Sequence, residues 1–411
     1  MVVGQQIAGE SVSSAGQADV AEKVRAAYAA SEPVYPIGGG TALDYGNAAA
    51  RAGQSLSLAG LSQVVDYTPR DMTILVEAGV TMADLTKTLA AEGQMLPIDV
   101  PRAANATIGG VVATNWNGPR RYGHGTVRDY VIGIHAVDGR GVPFKGGGRV
   151  VKNVAGYDFC KLLTGSLGTL GVITQIAFKV KPLPERSAVV AAECANLAIA
   201  EQALKQLADL EAPPVAIDLL VGAAWDSASA VNTRLVARVE GTEAEVRWLA
   251  ERIESEFNAA GCTAARCLAE PDAAALWARQ IEFSDRGAGE SDDNSPMVLQ
   301  IAVPPSAVTN TIAQLTAVDA SCAIQAHAAS GMIVVRFSKF SHAELSSVLV
   351  AKLRPAAVQL GGSVVVVRSK LDGITPHLVW GGRTDALVLL ERIKQKFDPH
   401  NILNPGRYIF G

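Results

Sequence analysis

The sequence predicts an α+β protein in two parts, and three observations carry that reading. Glycine is unevenly spread: 26 of the 39 glycines precede Pro182. Three glycine clusters, YPIGGGT (residues 35–41), VPRAANATIGGVVATNWNG (100–118) and GSLGTLGVI (165–173), each adjoin an apolar run of strand character. Beyond residue 184 the chain turns alanine- and charge-rich and reads as two strand–helix–strand–strand–helix rounds. That order suits an antiparallel sheet with helices on one side of it, so a domain change is expected near residue 184.

Taken in order, residues 19–30 space Val20, Val24 and Ala27 for a helix, and residues 34–37 form a strand delivering the first glycine cluster. Asp44, just beyond, suits a local turn hydrogen bond. Strands at 55–58 and 73–76 precede a helix that Thr81 caps and Gly93 stops. In the central stretch a proline-fixed segment leads to Thr107, a candidate N-cap, and the small residues after Gly109 and Gly110 wind into a short helix. Paired glycines at a helix entry bring backbone N–H groups close to an anion, which the helix dipole favours. A strand over 129–137, a turn at 138–141, a flexible loop at 146–148 and a short helix over 159–163 follow. Residues 172–180 alternate as a half-buried strand, closed by Pro182 and Pro184. In the second part, strands at 189–193, 216–221, 235–240, 297–303, 322–326, 332–337 and 363–368 are interleaved with helices at 197–210, 243–260, 307–318 and 342–360. A last helix spans 385–396.

Composition narrows the function. A chain of 411 residues with 49% hydrophobic and 18% charged side chains has material for two or three cores. A net charge of −4 argues against nucleic acid as the main partner. No apolar run reaches the roughly 18 residues of a membrane span, and residues 1–16 lack the marks of a signal peptide. The five cysteines (160, 194, 262, 267 and 322) are odd in number and form no C-x-x-C. Neither a disulfide framework nor an iron–sulfur site is expected, and the reducing cytoplasm is the expected compartment.

Each glycine cluster alone suits a tight turn; three in this order suit a large diphosphate-bearing cofactor. None fits G-x-x-x-x-G-K-[ST], and residues 38–43 break G-x-G-x-x-G because position 43 is leucine. P-loop and Rossmann sites are thereby excluded.

Residues 37–41, 106–113 and 165–173 resemble the FAD-binding domain of the vanillyl-alcohol oxidase/PCMH-type flavoproteins. KNVAGYD (152–158), FDPHNILNPGR (397–407) and GPRRYG (118–123) resemble in particular the FAD-binding E subunits of bacterial glycolate oxidases. The resemblance covers residues 30–184 and the C-terminal stretch. It implies a PCMH-type FAD-binding domain of two α/β subdomains over 1–184, an α+β cap domain over 185–370, and a 371–411 segment returning to the flavin domain.

The resemblance also implies a cofactor-binding set. Pro36, Ile37, Gly38, Gly39, Gly40, Thr41 and Ala42 lie in the first loop, and Pro101, Thr107, Ile108, Gly109 and Gly110 in the second. Backbone N–H groups of 38–41 and 107–110 would bind the pyrophosphate. Gly168, Val172 and Ile173 would make an edge-strand contact to the adenine or ribose side, while Thr114 and Gly118 approach the isoalloxazine. Leu167 stands where glutamate is usual. Three positions have two readings each. Asn404 lies beside the flavin or forms a plain Asn-Pro-Gly turn; Trp116 covers the ring or joins the core; Arg120 and Arg121 steer a carboxylate or phosphate, or are a solvated pair.

Some members link the flavin through histidine or cysteine. Residues 34–46 contain no histidine and residues 97–118 neither, so FAD is expected to be held non-covalently. Catalytic 2-hydroxyacid members carry a histidine-rich metal constellation, whereas residues 326–331 and 373–377 each keep one histidine. His327 and His377 are therefore the candidate catalytic residues, and no metal site is expected. The implied function is that of an FAD-binding subunit of a multi-subunit glycolate oxidase, converting glycolate to glyoxylate. Its implied partners are a sister FAD subunit and an iron–sulfur subunit, with membrane contact only peripheral through the complex. Two alternatives stand beside it: a self-sufficient FAD-linked 2-hydroxyacid dehydrogenase, and a flavin-binding structural subunit without turnover.

Overall fold

Short apolar runs bounded by turn residues become strands throughout the chain. The computed structural model describes residues 11–148, 156–225, 233–284, 295–382 and 386–409. Residues 152–155 of the KNVAGYD motif, and residue 385 at the expected start of the last helix, lie outside the described residues. By its contacts the chain divides into a first unit (Met1–Asn117, Thr126–Leu183 and Ile374–Gly411) and a second (Gly118–Gly125 and Pro184–Gly373).

In the first unit, β1 (Ser11–Ser13), β2 (Val34–Ile37) and β3 (Gln54–Ser57) form a parallel sheet with β3 central. Five more strands form an antiparallel sheet ordered β4-β5-β9-β7-β8: β4 (Val64–Thr68), β5 (Thr73–Glu77), β7 (Val131–Val137), β8 (Pro143–Gly147) and β9 (Val172–Lys179). The two-residue strands β6 (Gln94–Met95) and β10 (Lys181–Pro182) pair with each other. Alternation along β5 and β9 turns Ile74, Val76, Ile176 and Phe178 inward, where they meet Leu85 and Leu89 of the Met82–Ala90 helix and Ile108 and Val112 of the Ile108–Thr114 helix. Thr81 caps the first of these helices as expected, its Oγ1 accepting from Asp84 N at 3.1 Å. A second core joins Val20 and Val24 of the Gln17–Ala30 helix to Val34, Leu56, Ile402 and Leu403.

Two local expectations change, and one strand absent from the sequence reading, β4, is added. Residues 146–148 are not a flexible loop: Gly146 and Gly147 belong to β8 and pair with Ile134 and Gly133 of β7. Glycine is needed there because a Cβ at Gly147 would overlap Ile132 O and crowd Cys160 Sγ. The strand expected from residue 129 begins at Val131, after a helical turn Val127–Tyr130 closed by a Thr126/Asp129 capping box. β4 is mostly exposed and lacks the alternation by which β5 is read.

The second unit is one antiparallel sheet ordered β14-β11-β13-β12-β16-β17-β15-β18. Its strands are β11 (Arg186–Glu193), β12 (Ala216–Val221), β13 (Thr233–Gly241), β14 (Thr263–Cys267), β15 (Met297–Ala302), β16 (Ala323–His327), β17 (Met332–Phe337) and β18 (Ser363–Ser369). The sequence reading omits β14, whose side chains are largely exposed, and the Glu270–Glu282 helix that follows it. The helix expected over 342–360 contains a widened stretch, Leu345–Leu353. Pro355 lies two residues beyond it and offers no N–H to the carbonyl four positions back.

Residues 118–125 attach to the second unit by charge. Gly123 N donates to Val215 O at 3.0 Å. The buried Glu240 carboxylate meets His124 Nε2 at 3.0 Å, Arg238 Nε at 2.8 Å and Arg120 Nη1 at 3.6 Å. Arg120 is therefore committed to an internal carboxylate rather than solvated or left to steer an anion. Burial alone would raise the Glu240 pKa; the His124 hydrogen bond and the Arg120 and Arg238 charges outweigh it and bring the pKa from 4.5 to about 2. A depressed carboxylate pKa stabilises the fold above the unfolded value and loses that contribution as pH falls through the folded value. Glu240→Gln is expected to lose on the order of 3 kcal/mol at neutral pH. Denaturant unfolding should show the difference between wild type and variant shrinking away as pH falls from 4.5 to about 2. Equal stability of the two proteins at pH 7 would contradict the assignment.

Candidate functional site

Three backbone segments and the C-terminal return converge on one cleft of the first unit, with about 890 Å³ of free space including its open mouth. Strand β2 ends at Ile37 and delivers Gly38, Gly39, Gly40 and Thr41 to one wall. These residues approach the second segment so closely that a Cβ at Gly38 would overlap Thr107 Oγ1, and one at Gly39 would overlap Asn105 O. The Ile108–Thr114 helix is tied in turn to the third segment, because Gly165 N and Leu167 N donate to Val112 O and Ala113 O at 2.9 and 2.8 Å. Asn404 closes the ring: its Nδ2 donates to Leu167 O at 2.7 Å and its N to Val34 O at 3.0 Å.

The donors lining this cleft suit an anion. Among the described residues, the N–H groups of Gly38, Gly39, Gly40, Thr41, Thr107 and Gly110 have no protein acceptor. Successive unpaired N–H groups on a concave surface form an anion-binding nest. Arg407 holds the far side of the first loop, donating to Leu43 O at 2.6 Å, Ala42 O at 3.2 Å and Tyr45 O at 3.1 Å. Burial pushes its pKa down to about 10, with Asp44 and Tyr35 opposing the shift, so it is still a cation at neutral pH. The remaining wall is apolar and includes Leu58, Ala78, Ala113 and Val172. Among the described residues, no carboxylate, imidazole or thiol lines the cleft.

Of the residues expected at a cofactor site, Pro36, Ile37, Gly38, Gly39, Gly40, Thr41, Ala42, Thr107, Gly109, Gly110, Thr114, Gly168, Val172, Ile173 and Asn404 line this cleft. Pro101 and Ile108 are instead buried away from it, Ile108 in the main core. Gly118 groups with the second unit. The donor role of 107–110 also narrows, since Ile108 N and Gly109 N already donate to Val80 O and Ala78 O at 2.8 Å each. Thr107 occupies the N-cap position, yet its hydroxyl caps nothing and sits against Gly38. Val172 and Ile173 open the central strand β9 rather than an edge strand. They overrun β5, which pairs only from Gln175, so one flank of each is free toward the cleft. Trp116 packs against the first-unit core and stands edge-on to Tyr45, with ring centroids 6.3 Å apart. The sequence reading missed Arg407; its signal was a lone basic residue closing the Asn-Pro-Gly-Arg run.

The two histidines sit in different settings. His327 ends β16 in the second unit, directly opposite Asp218 of β12. Its Nδ1 is 2.8 Å from Asp218 Oδ1, and Gln280 and Gln325 donate to Asp218 Oδ2 at 2.7 and 2.8 Å. His327 is 5% exposed and Asp218 fully buried. This is a buried core network that supplies the Asp218 carboxylate with three partners, while Gln280 Oε1 has no hydrogen-bond partner. His377 is exposed and lines a different cleft of the first unit, with Thr375, Glu391 and Asp398. No group of three or more potential ligands that could hold a metal occurs among the described residues.

Residues 12–146 match the family model of the FAD binding domain, and residues 183–366 with 375–408 match that of the C-terminal domain of FAD linked oxidases, more than half of the chain. The glycolate oxidase subunit GlcD of Bacillus subtilis (strain 168) is 26% identical over 396 residues, covering 91% of this chain and 83% of that protein. The glycolate oxidase subunit GlcE of Escherichia coli (strain K12) is 36% identical over 205 residues, covering 50% of this chain and 55% of that protein. Among solved structures, an alkyldihydroxyacetonephosphate synthase aligns with a TM-score of 0.69 at 17% identity, over 96% of this chain and 76% of that one. That last likeness is one of fold.

Two outcomes follow for single residues. Gly39→Ala should yield a folded protein that purifies without its flavin, read from the visible absorbance per chain, because the added methyl forces the first loop off the second. Full flavin content in that variant would remove the first loop from the site. His327→Ala should cost about 3 kcal/mol in denaturant unfolding, since it leaves the Asp218 charge buried with one partner fewer. Its flavin content should not change. A variant as stable as wild type would show that His327 is not a core residue.

Proposed function

Because the chain belongs to the FAD-linked oxidases, a family of FAD-dependent oxidoreductases, we propose that it is the FAD-binding subunit of a multi-subunit enzyme that oxidises a short 2-hydroxy acid such as glycolate. The observation that carries the reading is the cleft itself: six unpaired backbone donors beside an apolar wall, with no carboxylate, imidazole or thiol among the described lining residues. Such a lining binds a diphosphate and an aromatic ring and moves no proton. In this reading the N–H groups of 38–41, 107 and 110 hold the pyrophosphate. Asn404 and Arg407 fix the loops around it, and the wall at Ala113, Thr114 and Val172 excludes water from the ring.

Bound FAD supplies an acceptor for the two electrons released when an alcohol becomes a carbonyl. Removing the hydroxyl proton in the same reaction needs a base. Among the described residues lining the cleft there is no carboxylate, imidazole or thiol, which supports a base supplied by a partner chain: a sister flavin subunit, with an iron–sulfur subunit receiving the electrons. The 36% identity to a GlcE-type subunit supports this division of labour. The cytoplasm is the proposed compartment, with any membrane contact made through the complex.

The test has two steps. Denaturing the purified chain should release all of its flavin, since neither histidine nor cysteine lines the cleft among the described residues; flavin that stays on the polypeptide would end the non-covalent reading. The isolated, flavin-loaded chain should then turn over glycolate negligibly, and its addition to the two partner subunits should restore activity. Substantial glycolate oxidation by the chain alone, lost in His377→Ala, would replace this proposal with a self-sufficient dehydrogenase.

A further inference from the structure

Two of the five cysteines meet where the sequence spacing showed no relation between them. Cys194 follows the last residue of β11 and Cys262 precedes the first residue of β14. The last bridged pair of these antiparallel strands is Glu193 with Thr263, so the two cysteines are the next step along the same ladder. Their sulfurs are 3.6 Å apart, and both residues are buried. Directly opposed residues of antiparallel strands have Cα separations of about 4.5–5.5 Å, within the range a disulfide spans. The sulfurs need to close by only about 1.5 Å to bond.

We propose that Cys194 and Cys262 are a reversible dithiol–disulfide pair that staples the edge strand β14 to β11. Cys262 is the attacking sulfur. A hydrogen bond from the Cys194 thiol lowers its pKa, whereas that bond and burial raise the pKa of Cys194. Cys262 is also the nearer of the two to the surface, 6% exposed against 0% for Cys194, and it follows the turn residue Gly261. The oxidant is a hydroperoxide. The Cys262 thiolate attacks the O–O bond, forming a sulfenic acid and, with one proton, releasing water or an alcohol. Cys194 then attacks the sulfenic sulfur, the S–S bond forms, and its proton leaves with the departing hydroxide as water. Two thiols have lost two electrons, the peroxide has gained them, and a dithiol reductant reverses the change.

The staple closes the chain between residues 194 and 262, which carries β12, β13 and the Leu197–Ala208 and Glu243–Ala259 helices. Closing a long loop restricts the unfolded chain more than the folded one, so the oxidised second unit resists unfolding better. Among the described strands, β14 gains most, because it pairs with β11 alone.

The experiment treats the full-length holoprotein with hydrogen peroxide, blocks residual thiols, and digests with trypsin without reductant. A cross-linked pair of peptides, residues 187–205 with 253–266, is expected, reverting on addition of dithiothreitol. The melting temperature of the oxidised protein should rise by several degrees and fall back on reduction. Cys267 is exposed and adjacent in sequence, so a Cys267→Ser protein serves as control and should form the same link. Absence of the 194–262 link, over-oxidation of either sulfur in place of it, a 262–267 link, or a link that leaves the melting temperature unchanged would each overturn the proposal. Because the primary readout is on wild-type protein, misfolding of a Cys194→Ala control cannot mask the result.

Discussion

A buried lysine–aspartate pair fastens the first unit. Lys394, on the Ala386–Phe397 helix, donates to Asp398 Oδ2 at 2.6 Å, Thr169 O at 2.8 Å and Leu403 O at 3.0 Å, which uses all three ammonium protons. Asp398 accepts in addition from Ile402 N at 3.0 Å and Leu403 N at 2.7 Å. Burial lowers the Lys394 pKa, and the Asp398 carboxylate opposes that shift. A buried pair of this kind adds little net stability over an apolar substitute, but breaking it costs several kcal/mol. Its value here is geometric. It presents residues 402–404 to β2, where Val34 pairs with Leu403, and it grips the third glycine segment through Thr169. The first and third loops of the cleft are thus set relative to each other by a segment more than 200 residues away in the chain.

That arrangement explains which parts were legible in sequence. The three glycine clusters were legible because glycine records a backbone requirement at its own position: the Gly39 backbone must touch Asn105, and no other residue type permits it. Strands such as β2, β12 and β17 were legible because burial leaves a local apolar run. Interactions between distant side chains leave no such trace. Asp218 and His327 are 109 positions apart, Cys194 and Cys262 are 68 apart, and each pair is created by strand register alone. The Arg407 contacts with the carbonyls of 42–45 belong to the same class. The misread β8 glycines show the converse error, since glycine signals either freedom or crowding and the sequence does not say which.

The cleft also separates recognition from chemistry. Backbone N–H groups carry no titratable proton, so what they hold does not change with pH, and their position depends on loop geometry rather than side-chain identity. Unpaired donors facing a cleft are tolerated because water or an anion can satisfy them, and an anion replaces water there without reorganising the loop. Leu167, where glutamate is usual in the family it resembles, fits this pattern: its carbonyl rather than its side chain is used, by Asn404. The second unit spends its buried charges differently. Glu240 and Asp218 are each surrounded by donors and serve the sheet and the segment 118–125.

The first unit is assembled from three stretches of chain, and the last of them begins at Ile374. During synthesis the ribosome therefore completes nearly all of the second unit before it releases the strand partner of β2 and the lysine that grips Thr169. The second unit is almost continuous and can form while the chain is still being made. The first cannot, because one of its two cores lacks Ile402 and Leu403 until the stretch from Ile374 onward has been made. For most of the time of translation the glycine loops are consequently held by local contacts alone. Cofactor loading then follows the synthesis of residues 394–407 rather than the appearance of the glycine-rich segments themselves.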